Sequence, residues 1–223
     1  FDIYNTYFDV STDNNNIGWN MVANPFLAHL DPTVLLADAT NFGLANKALY
    51  LWDPNIQQYR VLTATTTTPA INNDSGPALV PPMHAFWVKG SSTLSASPTA
   101  VEQITLSSSH TTVANATLNH LKTEIPQVRI NVNDMQSGYF DEVVIIHHDK
   151  ATEGFEPDKD AFKLSSDNSD VPSLSIEAFN KRLAIQSLQL QKDNTYRIPI
   201  YVKRGKNHAL KMTVNKQGLE DFS

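Results

Sequence analysis

The chain has 223 residues, no cysteine and a formal net charge of −6. Its length suits two β domains of roughly 100 residues each, and the lack of cysteine excludes a disulfide framework and a thiolate metal site. The 17 basic residues are outnumbered by 23 acidic ones and form no cluster, so no nucleic-acid-binding surface is predicted; no apolar run reaches the ~20 residues of a membrane span.

The first predicted elements are a strand and a short helix within GWNMVANPFLAHLD, residues 18–31. The period-two pattern around Trp19 predicts a half-buried strand, in which Trp19 anchors a core, and Pro25 ends that strand. Asp31 then precedes Pro32, which predicts an N-capping carboxylate and a proline at the first helical position.

Three short aromatic strands are predicted in the rest of the first half: ALYLWDP at 48–54, QYRVLT at 58–63 and HAFWVKG at 84–90. Between the first two, Pro54 fixes its own φ and Asp53 can bond back to the backbone. This sequence predicts a hairpin turn.

Two stretches of the chain are notably polar. Residues 63–82 are rich in Thr, Asn and Pro and predict a surface loop, and residues 90–100 are small and polar and predict a domain boundary. We therefore expect one β-sandwich at 1–95, with the GWN, ANP and WDP segments, and a second at 101–223, incomplete at its C-terminal end.

The second half repeats the strand pattern. Residues 142–148 are apolar on both faces and predict a central strand, while Pro199 indicates an edge strand, and residues 151–164 hold at most one helical turn. Three further strands alternate, with these apolar residues expected to point inward: Val128, Ile130 and Val132; Leu174, Ile176 and Ala178; Leu210, Met212 and Val214. The predicted fold is all-β, with two tandem β-sandwich domains and one or two short helical turns.

Several of these segments resemble a known group of proteins. GWNMVANPF, ALYLWDP, QYRVL and VPPMHAFWVKG resemble a pattern near the C-terminal ends of large surface and secreted proteins of Bacteroidetes. The Asp-Glu before the apolar strand, then ATEGF and DAFKL, and finally LAIQSL and IPIYVK are similar to the module that follows in those proteins.

The resemblance implies cargo of the type IX secretion system, in which tandem β modules precede a C-terminal sorting domain. It implies contact with the type IX secretion machinery and an extracellular or outer-cell-surface location. It implies no single activity, because such modules accompany adhesins, proteases and glycosidases, so function has to be argued from sites.

Two groups of side chains are candidates for a metal site. Glu153, Glu156, Asp158 and Asp160 are the hard oxygen ligands that Ca²⁺ prefers, and the alternative is a solvated acidic loop. His147, His148 and Asp149 also include metal-ligating types, but adjacent residues on a strand point to opposite faces and do not readily share one ion. No other cofactor is expected.

Two tryptophans are candidates for ligand binding. Trp52 and Trp87 could stack on sugar rings, with Trp87 the exposed one because it is out of phase with Phe86. The alternative, which we favour, is that most of the first-half aromatics, Trp19, Tyr50, Trp52, Tyr59, Phe86 and Trp87, form a sandwich core.

No motif for catalysis is present: no Gly-x-Ser-x-Gly elbow, no His-Glu-x-x-His and no cysteine nucleophile. We therefore predict a non-catalytic extracellular β module, a structural spacer or adhesin that contacts surface polysaccharide or another surface protein. The alternatives are a carbohydrate-binding module, an accessory domain of a secreted hydrolase, and an assembling subunit completed by a partner strand.

Overall fold

The computed structural model describes residues 18–41, 44, 46–69, 78–90, 104–112, 125–152, 154–191, 195–206 and 208–219, and the backbone of 2–3 and 102–103. Over these residues the fold is all-β, which confirms the predicted fold class. The division into two sandwiches stays a prediction. No helix in the described part of the chain is long and apolar enough to cross a membrane.

Short elements make up the first half. They are β1 (Asp2–Ile3), β2 (Trp19–Ala23), β3 (His29–Leu30), α1 (Pro32–Ala37), a 3-10 turn (Ala39–Asn41), β4 (Leu49–Asp53), β5 (Gln58–Leu62), β6 (Thr67–Thr68), β7 (Ala85–Lys89), β8 (Glu102–Gln103), a second 3-10 turn (Ser108–His110) and β9 (Thr111–Thr112). The second half holds longer strands. They are β10 (Gln127–Asp134), β11 (Phe140–His147), β12 (Ala161–Phe162), β13 (Ser173–Ala178), β14 (Lys181–Leu188), β15 (Ile200–Lys203) and β16 (Leu210–Gln217).

These strands form four sheets among the described residues. One has five strands in the order β2-β7-β4-β5-β6, and one has seven, in the order β15-β13-β14-β11-β10-β16 with β12 paired to β14. Two pairs, β1 with β8 and β3 with β9, complete the set.

The contacts divide the chain into two compact units. Unit 1 comprises Phe1–Leu51, Val61–Thr67 and Ile71–Thr117; unit 2 comprises Trp52–Arg60, Thr68–Ala70 and Leu118–Ser223. The predicted boundary at residues 90–100 falls, apart from Gly90, outside the described residues, so the limits 1–95 and 101–223 stay predictions.

The core of unit 1 lies on one face of the five-stranded sheet. Val22, Phe86 and Val88 point from β2 and β7 into a cluster with Leu35 and Leu36 of α1. Sequence analysis expected Trp19 to anchor a core, but Trp19 is not part of this cluster. The alternation of β2 turns Val22 inward and leaves Trp19 half-buried on the opposite face.

Helix α1 begins as its sequence predicts. The Asp31 carboxylate accepts a hydrogen bond of 2.8 Å from the Thr33 N–H, and Pro32 occupies the first turn. The carboxylate satisfies an N–H that would otherwise lack a partner at the helix start. The two leucines that α1 buries, Leu35 and Leu36, are thereby held against the sheet.

The hydrogen bonds of the Asn24 side chain show why an Asn-Pro sequence follows β2. Its fully buried side-chain amide donates hydrogen bonds to the carbonyls of Ala28 at 2.9 Å, Val80 at 3.3 Å and Pro81 at 3.0 Å. Its carbonyl oxygen accepts a hydrogen bond of 3.0 Å from the Phe26 N–H. One neutral side chain therefore joins the turn after β2 to the segment before β7.

Unit 2 is organised by β11, which lies inside the seven-stranded sheet with six consecutive buried residues from Asp141 to Ile146. This confirms the predicted central strand. The edge position predicted from Pro199 is also confirmed, because β15, which follows it, ends the sheet.

Two of the expected inward-facing patterns in unit 2 were wrong. On β10, Arg129 is buried while Val128 and Ile130 are only partly buried, because Arg129 pairs with the buried Glu142. On β16, Met212 and Val214 are exposed, because alternation assigns side chains to a face but does not determine whether that face is covered.

Candidate functional site

Trp87 is one of the two aromatic positions predicted to bind a ligand. It lies in the middle of β7, where the register places it opposite Met21 on β2 and Tyr50 on β4. The neighbouring Phe86 points to the other face and is fully buried in the core of unit 1. Trp87 is therefore partly buried on the sheet face that lies away from this core.

Large side chains surround Trp87 within unit 1. Met21 has 65% of its surface exposed, and the Trp19 ring meets Tyr50 edge-on, with centroids 4.7 Å apart. The Lys89 ammonium lies 4.8 Å from the centre of the Trp19 ring. Tyr50 and Lys89 are buried, so the accessible part of this face consists of Met21 and the partly buried Trp19 and Trp87, whose rings can pack on the apolar face of a sugar.

Trp52 is the second predicted position and belongs to unit 2. It is 40% exposed at the end of β4, and its ring meets Tyr59 at an angle of 64° with centroids 5.0 Å apart. Beside it, Arg60 donates from Nε to Asp53 at 2.7 Å. We treat Trp52 and Trp87 as two separate candidate positions.

The expectation that the first-half aromatics form a core holds for two of the rings. Phe86 and Tyr50 are both fully buried, and the Tyr50 hydroxyl accepts a hydrogen bond of 3.0 Å from the Asn46 side chain. Trp52 is exposed, which contradicts the core interpretation at that position.

The carboxylates proposed as calcium ligands already accept hydrogen bonds. Glu156 accepts from the Lys159 ammonium at 2.6 Å and from the Thr152 N–H at 2.8 Å. Asp160 accepts from the Ser187 N–H at 2.7 Å and from the Glu156 N–H at 2.8 Å. All four oxygens thus accept a hydrogen bond from an N–H donor within the fold.

The environments of these carboxylates shift their pKa values in opposite directions. The hydrogen bond from Lys159 holds the pKa of Glu156 below its usual value. Burial raises the pKa of Asp160 to about 6. Asp158 is exposed, and Glu153 lies outside the described residues.

No group of three or more His, Cys, Asp or Glu side chains is placed to hold a metal ion in the part of the chain that the structure describes. Since Glu153 is not among those residues, the calcium site stays a prediction.

Both nitrogens of the His147 ring contact other groups of the fold. Its Nδ1 accepts a hydrogen bond of 3.1 Å from the Leu190 N–H, so a neutral ring carries its proton on Nε2, which lies 2.9 Å from an Asp149 oxygen. The neighbouring His148 accepts a hydrogen bond of 3.1 Å from the Lys150 N–H. None of these three contacts joins the two histidines to a common partner.

A buried ion pair in unit 2 was not found by sequence analysis. The Lys163 ammonium contacts the Asp141 carboxylate at 2.5 Å, with 1% and 0% of the two side chains exposed. The same carboxylate accepts hydrogen bonds of 2.8 Å and 2.7 Å from the N–H groups of Glu142 and Leu174. This aspartate therefore connects β11 to β13 and to the segment after β12.

A second buried pair lies one residue further along β11. Glu142 pairs with Arg129 across the β10–β11 ladder and accepts a hydrogen bond of 3.0 Å from the Thr68 hydroxyl. The signal was in the sequence: Asp141 and Glu142 are the Asp-Glu before the apolar strand, and Lys163 lies in DAFKL. Charged residues that flank apolar strands are candidates for buried partners.

A further carboxylate caps the turn between β10 and β11. Asp134 accepts hydrogen bonds of 2.8 Å and 3.0 Å from the N–H groups of Gln136 and Ser137, and it pairs with His208 at 2.8 Å. Burial by itself raises the pKa of Asp134, but these hydrogen bonds outweigh burial and lower the pKa well below its usual range.

In comparisons with protein-family models, with curated proteins and with solved structures, no match to this chain was found.

Proposed function

We propose that this chain is a non-catalytic extracellular β module that serves as a structural spacer or adhesin at a cell surface. The proposal is supported chiefly by the burial of two side chains that are chemically able to act in catalysis. The Asp141 carboxylate and the Lys163 ammonium, which could act in acid–base chemistry, are buried against each other and connect strands.

The proposed location depends on the sequence resemblance to type IX secretion cargo. The segments GWNMVANPF and VPPMHAFWVKG carry that resemblance in unit 1, and the Asp-Glu of β11 and DAFKL carry it in unit 2. The proposed partners are the type IX secretion machinery and, once the protein is outside the cell, a surface polysaccharide or protein.

The spacer role is tested by pulling single molecules of the chain from its two ends. We expect a discrete unfolding event whose force falls in Asp141→Asn, because that change leaves the Lys163 charge buried without its partner. The matched control is Glu177→Gln, in a pair 4.0 Å apart whose side chains are both about half exposed. Extension without a resolvable force peak, or hydrolysis of polysaccharide or peptide substrates, would contradict the proposal.

The location is tested in cells that make the full-length protein. Protease added to intact cells should remove the chain, and cells without the type IX secretion machinery should retain it inside. Protection in both cell types would contradict a surface location.

One observation favours carbohydrate binding as a second candidate function. Trp87, Met21 and Trp19 share the face of the unit 1 sheet that lies away from the core. Retention on insoluble and soluble polysaccharides, with and without Ca²⁺, is the measurement, with Trp87→Ala and Trp52→Ala as variants. The surface controls are Leu27→Ala and Met135→Ala, since both side chains are highly exposed.

If one tryptophan variant remains folded but loses retention while its surface control keeps it, the chain is a carbohydrate-binding module. If the unaltered chain is not retained on any polysaccharide, this candidate is wrong.

A further inference from the structure

Strand β16 is a long edge strand. It pairs with β10 through eight residue pairs, from Asp134 opposite Leu210 to Gln127 opposite Gln217. It stands at the end of the seven-stranded sheet, and no other strand among the described residues pairs with its second edge. Such an edge presents N–H and C=O groups to which another extended chain can bind.

The side chains of β16 are accessible on both faces of the sheet. Met212 and Val214 are 49% and 56% exposed on one face, although they lie opposite Val132 and Ile130 of β10. On the other face Lys211 and Asn215 are exposed. An added strand would therefore find apolar side chains beside the edge as well as backbone groups along it.

The charge of this edge selects among partners. Lys211 and Lys216 are exposed on opposite faces, and residues 208–219 contain no aspartate or glutamate, although the chain as a whole is acidic. A second copy of β16 would bring only lysines, so self-pairing would gather like charges. An acidic strand would place a carboxylate near each lysine.

The start of β16 is fixed before any partner binds. His208 pairs with Asp134 at 2.8 Å, and the Met135 N–H donates a hydrogen bond of 3.1 Å to the Ala209 carbonyl. These contacts connect the beginning of β16 to the turn between β10 and β11. A strand held in this way loses little further freedom when a partner binds, which favours affinity.

We propose that β16 is a strand-addition site for an acidic, extended segment of a partner protein. The partner strand places apolar residues beside Met212 and Val214, one Glu or Asp near Lys216 on that same face, and another near Lys211 on the opposite face. This interaction is separate from the spacer role and from the candidate carbohydrate site, since it needs neither the buried ion pairs nor Trp52 and Trp87.

The test uses the whole chain and three fluorescent eight-residue peptides. One alternates valine and threonine with a glutamate near each end, one replaces both glutamates by lysine, and one carries the glutamates but has two central prolines, which prevent strand pairing. Anisotropy measures binding, and amide hydrogen exchange locates it. We expect binding of the first peptide only, weakening with added salt, with slower exchange confined to β16 and β10.

Charge reversal provides the decisive variant. Lys211→Glu combined with Lys216→Glu should reverse the preference by at least tenfold, so that the lysine peptide binds and the glutamate peptide does not. The matched control is Lys203→Glu, which places the same change on β15, at the opposite end of the sheet, and should keep the original preference. Circular dichroism checks that each variant is folded.

Three results would overturn the proposal. The first is equal binding of the acidic and basic peptides, the second is unchanged exchange in β16, and the third is self-association of the unaltered chain through β16, which would make a second copy the partner.

Discussion

The two units hold their chain segments together with different chemistry. In unit 1, two buried neutral amides connect distant segments: Asn24 bonds four backbone groups, and Asn41 bonds Leu35 and Thr105. Unit 2 also has a buried amide of this kind, Gln58, which bonds Ser166 and Pro172, and in addition it has the buried ion pairs Lys163 with Asp141 and Arg129 with Glu142.

Because of this difference, substitutions at these connecting side chains should affect the stability of the two units differently. An amide carries donors and an acceptor without net charge, so its removal leaves only neutral groups without partners. A buried ion pair has already lost its hydration, so removal of one member leaves an uncompensated charge in the interior. We therefore expect a single substitution in a buried ion pair of unit 2 to cost more stability than a substitution of a buried amide in unit 1.

The largest expected effect follows from breaking one ion pair. Asp141→Asn should destabilise unit 2 by about 3–5 kcal/mol, because the buried Lys163 ammonium then faces an uncharged amide. Combining Asp141→Leu with Lys163→Met should recover much of this loss, because no buried charge remains. Urea unfolding measures both. If Asp141→Asn loses no more stability than the exposed control Glu177→Gln, the comparison between the two units is wrong.

The next effect is a pH dependence specific to unit 2. In the folded chain burial raises the pKa of Asp160 to about 6, whereas an unfolded aspartate titrates near ~3.9. The folded state therefore binds more protons between these values, so stability should fall as pH rises from about 4 to about 6, by at most ~3 kcal/mol.

Urea unfolding across this pH range measures that slope, and Asp160→Asn should remove it. Asp134 acts in a separate window: its lowered pKa gives a contribution that is lost only as pH falls below about 4. The Asp160 interpretation is wrong if the slope between pH 4 and 6 persists in Asp160→Asn.

A smaller effect is expected in unit 1. Asn24→Ala should destabilise this unit by about 1–3 kcal/mol, because it removes four hydrogen bonds of a fully buried amide, among them those with the Ala28 carbonyl and the Phe26 N–H. Hydrogen exchange should show faster opening of β2 and β7, with β11 unchanged. Leu27→Ala, at a highly exposed side chain, is the control. If Asn24→Ala lowers the free energy of unfolding as much as Asp141→Asn does, buried charge does not explain a difference in sensitivity between the two units.

Sequence reasoning predicted the elements whose signals are local. The cap at Asp31 needs only the residues next to it, and the hairpin turn at Asp53 needs only Pro54 and Asn55, whose N–H bonds the Asp53 carboxylate at 2.9 Å. The strand β11 is apolar along its whole length, which is typical of a central strand.

The remaining features depend on partners that are distant in sequence. Arg129 is buried because it pairs with Glu142, its diagonal neighbour on the next strand, and Asn24 bonds a carbonyl 56 residues away. Alternation cannot supply such partners. For the candidate site, the phase of β7 distinguishes Trp87 from Phe86, but the exposure of Met212 and Val214 depends on what packs over β16, which no local pattern determines.

The smallest effect concerns the backbone of unit 2 and leaves both ion pairs intact. Phe179 and Asn180 both have φ of 55° in the two-residue turn between β13 and β14, a conformation typical of Asn-Gly and costly for phenylalanine. Phe179→Asn should stabilise unit 2 by about 0.5–1 kcal/mol in urea unfolding. Its effect should add to that of Asp141→Asn, since the two residues share no bond. A loss of stability would instead mean that packing of the Phe179 ring outweighs the backbone strain.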